Sequence, residues 1–330
     1  MFTSIRRGGS TRMNRRDFVV SSALTAAAFS LGARMTKAAA ATTTTTSTQL
    51  TLDQLRTGRF SGVLFGSTVP PGMTLPQREQ QLGHVYAIEH GYSNGGFSSL
   101  ATPSPGHLLA QTLSSGSTSG TWVQDANAGK LDAQYAAMRD RITAPTFIIL
   151  WQEFNGHWET TYPANYGGPA VFVKAWRRMA LILKQNPNVI MCWSPNIYVA
   201  NSKTSPIDPF ACYPGSDVVD WVAFDGYCHG SYHSFDQLFA QAIRDYGPNG
   251  ARHKHPFMVG ETAAQRTLSP DKYVTSVHQS LLSGAGHGAV KALLWFDNSW
   301  GTNGYNVDAT AAEWTAYTAL VGDPALRAAA

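Results

Sequence analysis

Charge is scarce in this chain: Asp, Glu, Lys and Arg make up 14% of its 330 residues. The formal net charge of +4 is also concentrated at one end. Residues 1–41 hold seven basic residues (Arg6, Arg7, Arg12, Arg15, Arg16, Arg34, Lys37) and one acid, Asp17. Without them the totals of 25 basic and 21 acidic residues become 18 and 20, a net charge near −2. No dense Lys/Arg patch remains, which argues against a nucleic-acid partner. Cysteine is equally sparse. The three present, Cys192, Cys212 and Cys228, are an odd number and exclude a disulfide framework, although Cys212 and Cys228 flank one predicted strand and could pair. No apolar run reaches the roughly 20 residues of a membrane span. Also missing are a G-x-G-x-x-G turn, a P-loop, a G-x-S-x-G elbow and an H-E-x-x-H helix, so no nucleotide cofactor, serine elbow or zincin centre is indicated. The nearest approach to the elbow, "GSTSG" at 116–120, has Thr at its centre and reads as a loop.

The first segment reads as an address rather than as structure. Twin arginines (Arg15, Arg16) precede an apolar stretch from Phe18 to Leu31, and small residues follow at Ala38 and Ala40. That is the pattern of a twin-arginine export signal over residues 1–41, and it predicts a periplasmic or extracellular location without a membrane anchor after cleavage. The Thr-rich stretch at 42–50 reads as a linker. Residues 51–325 then suit a single domain.

What is abundant is alternation. Apolar runs of strand length occur at 146–151, 189–193, 219–224, 256–260 and 290–296. They are too continuous for half-exposed strands and suit parallel strands covered on both faces. The intervals carry helical patterns. Phe172, Trp176, Met179 and Leu183 fall on one helix face. Ser234 and Gln237 form a capping box ahead of a stripe through Phe235, Leu238, Phe239, Ala242 and Tyr246. Ser269 as N-cap, Pro270 and Gly284 bracket another helix. Earlier strands are expected within 59–66, 83–92 and 107–113, with a helix at 131–142. Eight strand–helix units predict a (β/α)8 TIM barrel, with a doubly wound open sheet as the alternative.

In such a barrel the chemistry gathers at the C-terminal ends of the strands. Strand four ends in Gln152, Glu153 and Asn155, followed by Trp158. Strand five gives Trp193 and Asn196, strand six Asp225 and Tyr227, strand seven Glu261, and strand eight Trp295, Asp297 and Trp300. Glu153 and Glu261 come from strands that face each other across the mouth. Two converging carboxylates can share acid and nucleophile duties at a glycosidic bond. In the retaining scheme Glu261 attacks and Glu153 gives and takes the proton. Trp158, Trp193, Trp295 and Trp300 offer flat faces for sugar rings, whereas Trp176 and Trp221 read as core. Asn155 and Asn196 are candidates for hydroxyl contacts. Cys228, His229 and His233 hint at a metal, but no further ligand cluster accompanies them, and neither a metal nor another cofactor is expected.

The stretches "WQEFNGHW", "CWSPN", "CYPGSDVVDWVAFDGY", "HPFMVGETA" and "VKALLWFDNSW" resemble glycoside hydrolase family 26, the β-mannanase type, over roughly residues 60 to 320. The resemblance implies a retaining (β/α)8 endo-glycanase with Glu153 as acid/base, Glu261 as nucleophile, Tyr227 bound to that nucleophile and Trp295 as a sugar platform. It departs where the family has His before the acid/base Glu, in a run like Arg-Pro-Phe-His-Glu. Here Trp151 and Gln152 stand instead. Mannan is the expected polysaccharide, with xylan and mixed-linkage glucan open, and a monomer is expected. A glycan-binding barrel without activity and a metal-assisted hydrolase are the competing readings.

Overall fold

Runs such as Thr146–Leu150 and Val189–Trp193 bury every residue, as parallel strands covered on both faces must. In the computed structural model eight strands close into one barrel. They are β1 (Leu64–Ser67), β2 (Ile88–Asn94), β3 (Leu108–Ser114), β4 (Thr146–Leu150), β5 (Val189–Trp193), β6 (Trp221–Cys228), β7 (Phe257–Ala264) and β8 (Val290–Trp295). Every neighbouring pair is parallel, and β1 meets β8 with Leu64 opposite Ala292 and Ser67 opposite Trp295. Closure rules out the open sheet. The structure describes residues 50–328 except 95–99, 115–120, 160, 198–206 and 299–303. The leader, most of the Thr-rich linker, the "GSTSG" loop and Trp300 lie outside the described residues.

The helices are α1 (Leu52–Thr57), α2 (Leu75–Leu82), α3 (Trp122–Asn127), α4 (Asp132–Arg139), α5 (Pro169–Leu183), α6 (Phe235–Tyr246), α7 (Pro270–Ser283) and α8 (Ala311–Gly322). The alternation is imperfect. Between β5 and β6 the described chain makes a short 3-10 turn, Pro209–Cys212, and no α-helix. The predicted stripe of α5 (Phe172, Trp176, Met179, Leu183) is fully buried. Ser234 and Gln237 make the reciprocal capping bonds of α6. Ser269 stands at the N-cap of α7 but makes no side-chain cap bond, so Pro270 in the first turn carries that boundary.

Period two along each strand divides the core into two shells. Leu64, Ile88, Ala110, Phe147, Ile149, Ile190, Cys192, Trp221, Ala223, Met258, Ala292 and Leu294 fill the barrel. Their neighbours Phe65, Ile148, Leu150, Met191, Trp193, Val222, Phe224, Val259, Leu293 and Trp295 pack outward beneath the helices. At the floor, Leu55 of α1 joins the interior, and the Trp221 indole N–H donates to the Leu55 and Arg56 carbonyls at 2.8 and 3.1 Å. Trp176 and Trp221 are core residues, as their apolar surroundings predict. All three cysteines are buried and free, so Cys212 and Cys228 are not paired. No helix among the described residues is long and apolar enough to cross a membrane.

Candidate active site

Glu261 owes its direction to one extra residue. β6 and β7 pair in step from Val222 opposite Phe257 to Phe224 opposite Val259, and the next pair is Asp225 opposite Glu261. Gly260 is skipped, which makes a β-bulge. Met258 belongs to the interior and Phe257 and Val259 to the outer shell. Strict alternation would therefore send residue 261 outward, and the bulge turns it to the mouth. Only glycine fits at 260, because a Cβ would lie 2.5 Å from Asp225 Oδ1 and 3.1 Å from the Ala223 carbonyl oxygen. β6 keeps its phase through this point, so Asp225 and Tyr227 continue the inward row of Trp221 and Ala223. The Tyr227 hydroxyl donates to Glu261 Oε2, and the Tyr92 hydroxyl from β2 donates to Oε1 at 2.8 Å.

Glu153 is aimed by a different device. Beyond β4 the chain enters the left-handed region twice, at Trp151 (φ 54°) and at Glu153 (φ 52°). Each such residue costs on the order of 1–3 kcal/mol and persists only where its surroundings fix it. Here the Trp151 N–H donates to the Leu113 carbonyl at 3.0 Å and the Glu153 N–H to the Ser194 carbonyl at 2.7 Å. The carboxylate then accepts from Asn196 Nδ2 on Oε1 at 2.9 Å and from the Trp158 indole N–H on Oε2 at 2.8 Å. Asn196 is itself held. Its backbone N–H donates to Asn155 Oδ1 at 2.8 Å, and its carbonyl accepts from Asn155 Nδ2 at 3.0 Å. The strand-five extension also stays bonded to β6, with Asp225 N–H on the Pro195 carbonyl at 3.0 Å and Ile197 N–H on the Asp225 carbonyl at 2.8 Å. Gly156 lets the indole fold back over the loop, since a Cβ there would lie 2.3 Å from the Trp158 ring.

Glu153, Asp225 and Glu261 thus converge. Each offers an oxygen within 4.8 Å of the other two, and none is more than 2% exposed. Hydrogen-bond donors surround the cluster: two hydroxyls on Glu261, an indole and an amide on Glu153, and the Ser194 hydroxyl 3.4 Å from Asp225 Oδ1. Beneath Tyr92, full burial pushes the His90 imidazole down to about 3, so this ring is neutral. The arrangement can hold two opposed carboxylates on a bound molecule while Trp158, 41% exposed, presents its ring at the rim. An oxygen trio of this kind could also hold a divalent cation. Among the described residues it is the group with that capacity, and Cys228, His229 and His233 do not form another.

Several expected sugar contacts sit elsewhere. Trp193 and Trp295 are 0% and 1% exposed and belong to the outer shell. Trp193 packs on Phe154, Tyr213, Phe224 and Tyr246, and Trp295 on Tyr273 and Tyr317. Neither has a ring face free for a saccharide, because side chains one residue apart on a strand point to opposite faces. The residue after Trp295, Phe296, follows the interior row of Ala292 and Leu294 and packs against Tyr227 with ring centres 5.8 Å apart. Asn155 is fully buried with both ends of its amide engaged by Asn196, so it positions that residue instead of meeting a hydroxyl. Gln152 is buried, and its Oε1 accepts no hydrogen bond from the described residues. Asp297 is fully buried and ion-paired to Arg78 at 2.8 Å. Sequence reasoning missed Tyr92 and His90. Their spacing of two on a predicted strand was the available signal, since it puts both on one face.

No family model matches the chain. A curated protein, Endoglucanase H of Acetivibrio thermocellus, is 24% identical over 214 residues, which is 60% of this chain. The chain spans 23% of the length of that relative. Among solved structures, an endo-β-1,4-mannanase double mutant of Cellulomonas fimi superposes with a TM-score of 0.64 at 16% identity, covering 84% of this chain and 74% of that one. The GH26C protein of a Muricauda species gives 0.62 at 13% identity over 84% and 89%. A β-mannanase from a symbiotic protist of the termite Reticulitermes speratus gives 0.54 at 14% over 84% and 91%. The fold of this chain is therefore the closed (β/α)8 barrel of these glycoside hydrolases.

Proposed function

We propose that this chain is a retaining endo-β-glycanase of the family 26 β-mannanase type. The observation that carries this reading is the approach of Glu153 and Glu261, whose nearest oxygens lie within 4.8 Å. Retaining glycosidases place their carboxyl groups about 5–5.5 Å apart, and inverting ones about 6.5–9.5 Å. In the first step a Glu261 oxygen bonds to the anomeric carbon as the glycosidic C–O bond breaks. The leaving oxygen takes the bond pair and the Glu153 proton. In the second step Glu153 removes a proton from water, and the water oxygen bonds to the anomeric carbon. The ester C–O bond to Glu261 breaks and its electron pair returns to the carboxylate. Tyr227 holds the nucleophile, Asn196 and Trp158 hold the acid/base, and the exposed Trp158 ring meets the sugar chain.

The mannanase neighbours favour β-1,4-mannan, and the endoglucanase relative keeps β-glucan in view. The twin-arginine leader supports export, with hydrolysis outside the cytoplasm. The test is reducing-sugar release by E153Q and E261Q on mannan, xylan, mixed-linkage glucan and cellulose. Full activity in both variants would refute the assignment. Binding without turnover by the unsubstituted protein on every glycan would leave a sugar-binding barrel. The Glu153–Asp225–Glu261 trio favours a second reading, metal-assisted hydrolysis. The neutral donors bonded to both glutamates speak against it, because they stabilise the carboxylates and occupy acceptor sites that a cation would need. Loss of activity in chelator, restored by a divalent ion, would establish it.

A further inference from the structure

Tyr92 Oη lies 2.8 Å from Glu261 Oε1, while Tyr227 takes Oε2. An ionised carboxylate only accepts, so both hydroxyl hydrogens point at Glu261. The Tyr92 oxygen keeps lone pairs that can accept a further hydrogen bond. His90 Nδ1 stands 3.5 Å from it, with ring centres 4.5 Å apart. The other nitrogen of His90, Nε2, lies 2.8 Å from Thr112 Oγ1. Tyr92 and Thr112 are opposite one another in the β2–β3 ladder, and His90 and Thr112 are buried. Burial keeps the imidazole neutral, with one donor nitrogen and one acceptor. One arrangement satisfies the whole chain. The Thr112 hydroxyl donates to Nε2, Nδ1–H donates to the Tyr92 oxygen, and the Tyr92 hydroxyl donates to Glu261. Every hydrogen in the row points toward the carboxylate.

We propose that Tyr92 is a second positioning residue for the nucleophile, pinning Oε1 while Tyr227 pins Oε2, and that His90 and Thr112 orient its hydroxyl. The inference rests on the glycanase reading. Its chemical consequence is specific. A hydrogen bond to a carboxylate is roughly twice as strong as one to a neutral ester oxygen. Tyr92 therefore favours the ionised nucleophile before attack, and favours the carboxylate again as the glycosyl ester C–O bond breaks.

The experiment is the pH profile of kcat/KM for Y92F on soluble β-1,4-mannan, or on the panel glycan that the unsubstituted protein cleaves fastest. The expected result is an acid limb moved upward by about one pH unit, with the basic limb unmoved. At the optimum kcat should fall on the order of 10-fold. H90Q should move the acid limb the same way and less far. Incorporation of 3-fluorotyrosine at position 92, which keeps the side chain's shape and makes a more acidic donor, should move it downward. An acid limb that stays in place in Y92F, or a loss equal at every pH, would overturn the proposal. If Y92F does not fold, the fluorotyrosine protein decides by the sign of its shift. E261Q separates the two levels: an active E261Q overturns the glycanase reading, whereas an inactive E261Q with an unmoved Y92F profile overturns only the role of Tyr92.

Discussion

Glu153 and Glu261 approach one another in the barrel mouth, yet the chain delivers them by opposite means. Glu261 sits within a strand, turned inward by a bulge, and the tyrosine hydroxyls that bond its two oxygens come from β2 and β6. Glu153 lies past the end of its strand, on a loop that enters the left-handed region twice. Its partners come from that loop and from the extension of β5. The contrast fits the two jobs proposed. A nucleophile must meet one carbon along one line, and a ladder of strands fixes it in every direction. An acid/base must reach the leaving oxygen and later a water, and a loop with a half-exposed indole can follow both.

The sharpest way to break this comparison is chemical. E261Q should lower kcat by roughly 10⁴-fold or more on every substrate, because the nucleophile is gone. E153Q should lower kcat/KM by about 10²–10⁴-fold on polysaccharide and much less on an activated aryl glycoside, whose leaving group needs no proton, because kcat/KM reports the first step alone. Equal losses on both substrates would remove the distinction between the two glutamates.

A next test exchanges neighbours on β8. W295A should cost about 3–5 kcal/mol of stability, read by denaturant unfolding, through the cavity left in the outer shell. F296A should cost less stability and raise KM instead. The reverse pattern would mean that the inward and outward rows are misassigned. G260A probes the bulge alone. Its Cβ meets Asp225 and the β6 backbone, so a loss of about 1–3 kcal/mol is expected, with kcat falling more than Tm alone explains.

The smallest expected effect on catalysis lies away from the mouth. Glu313 is 1% exposed, and burial, aided by the charge of Asp297, pushes its carboxyl up to about 8. A carboxyl raised on folding holds its proton in the native state. Its contribution is complete below the ordinary carboxyl value of 4.5 and is lost as pH rises through about 8. Asp297, raised to about 6 by burial against the opposing pull of Arg78, adds the same sign over a narrower window. Thermal unfolding should therefore move down as pH rises from 5 to 8. E313Q should flatten that slope and leave the kinetic pH limbs unchanged.

Much of this was legible in the chain. Buried parallel strands announce themselves as unbroken apolar runs, and the carboxylates that close strands four and seven stood out because nothing apolar explained them. The capping box of α6 and the stripe of α5 were equally plain. The indoles were not. Trp193 and Trp295 sit at the right ends of the right strands, and one step of alternation turns each away from the mouth and toward the helices. Tyr92 was hidden for the complementary reason. A tyrosine on an expected strand has no mark of its own until the facing strand brings a carboxylate to its hydroxyl.

The order of strands and helices, and the residue types gathered at one end of the barrel, follow from sequence alone, because periodicity and apolar content are local properties. Which side chains face the mouth was decided only in the folded barrel. A skipped residue at Gly260 and two left-handed residues at Trp151 and Glu153 reset the direction of everything after them. Such resets are held by contacts with other strands, and those contacts do not exist until the barrel closes.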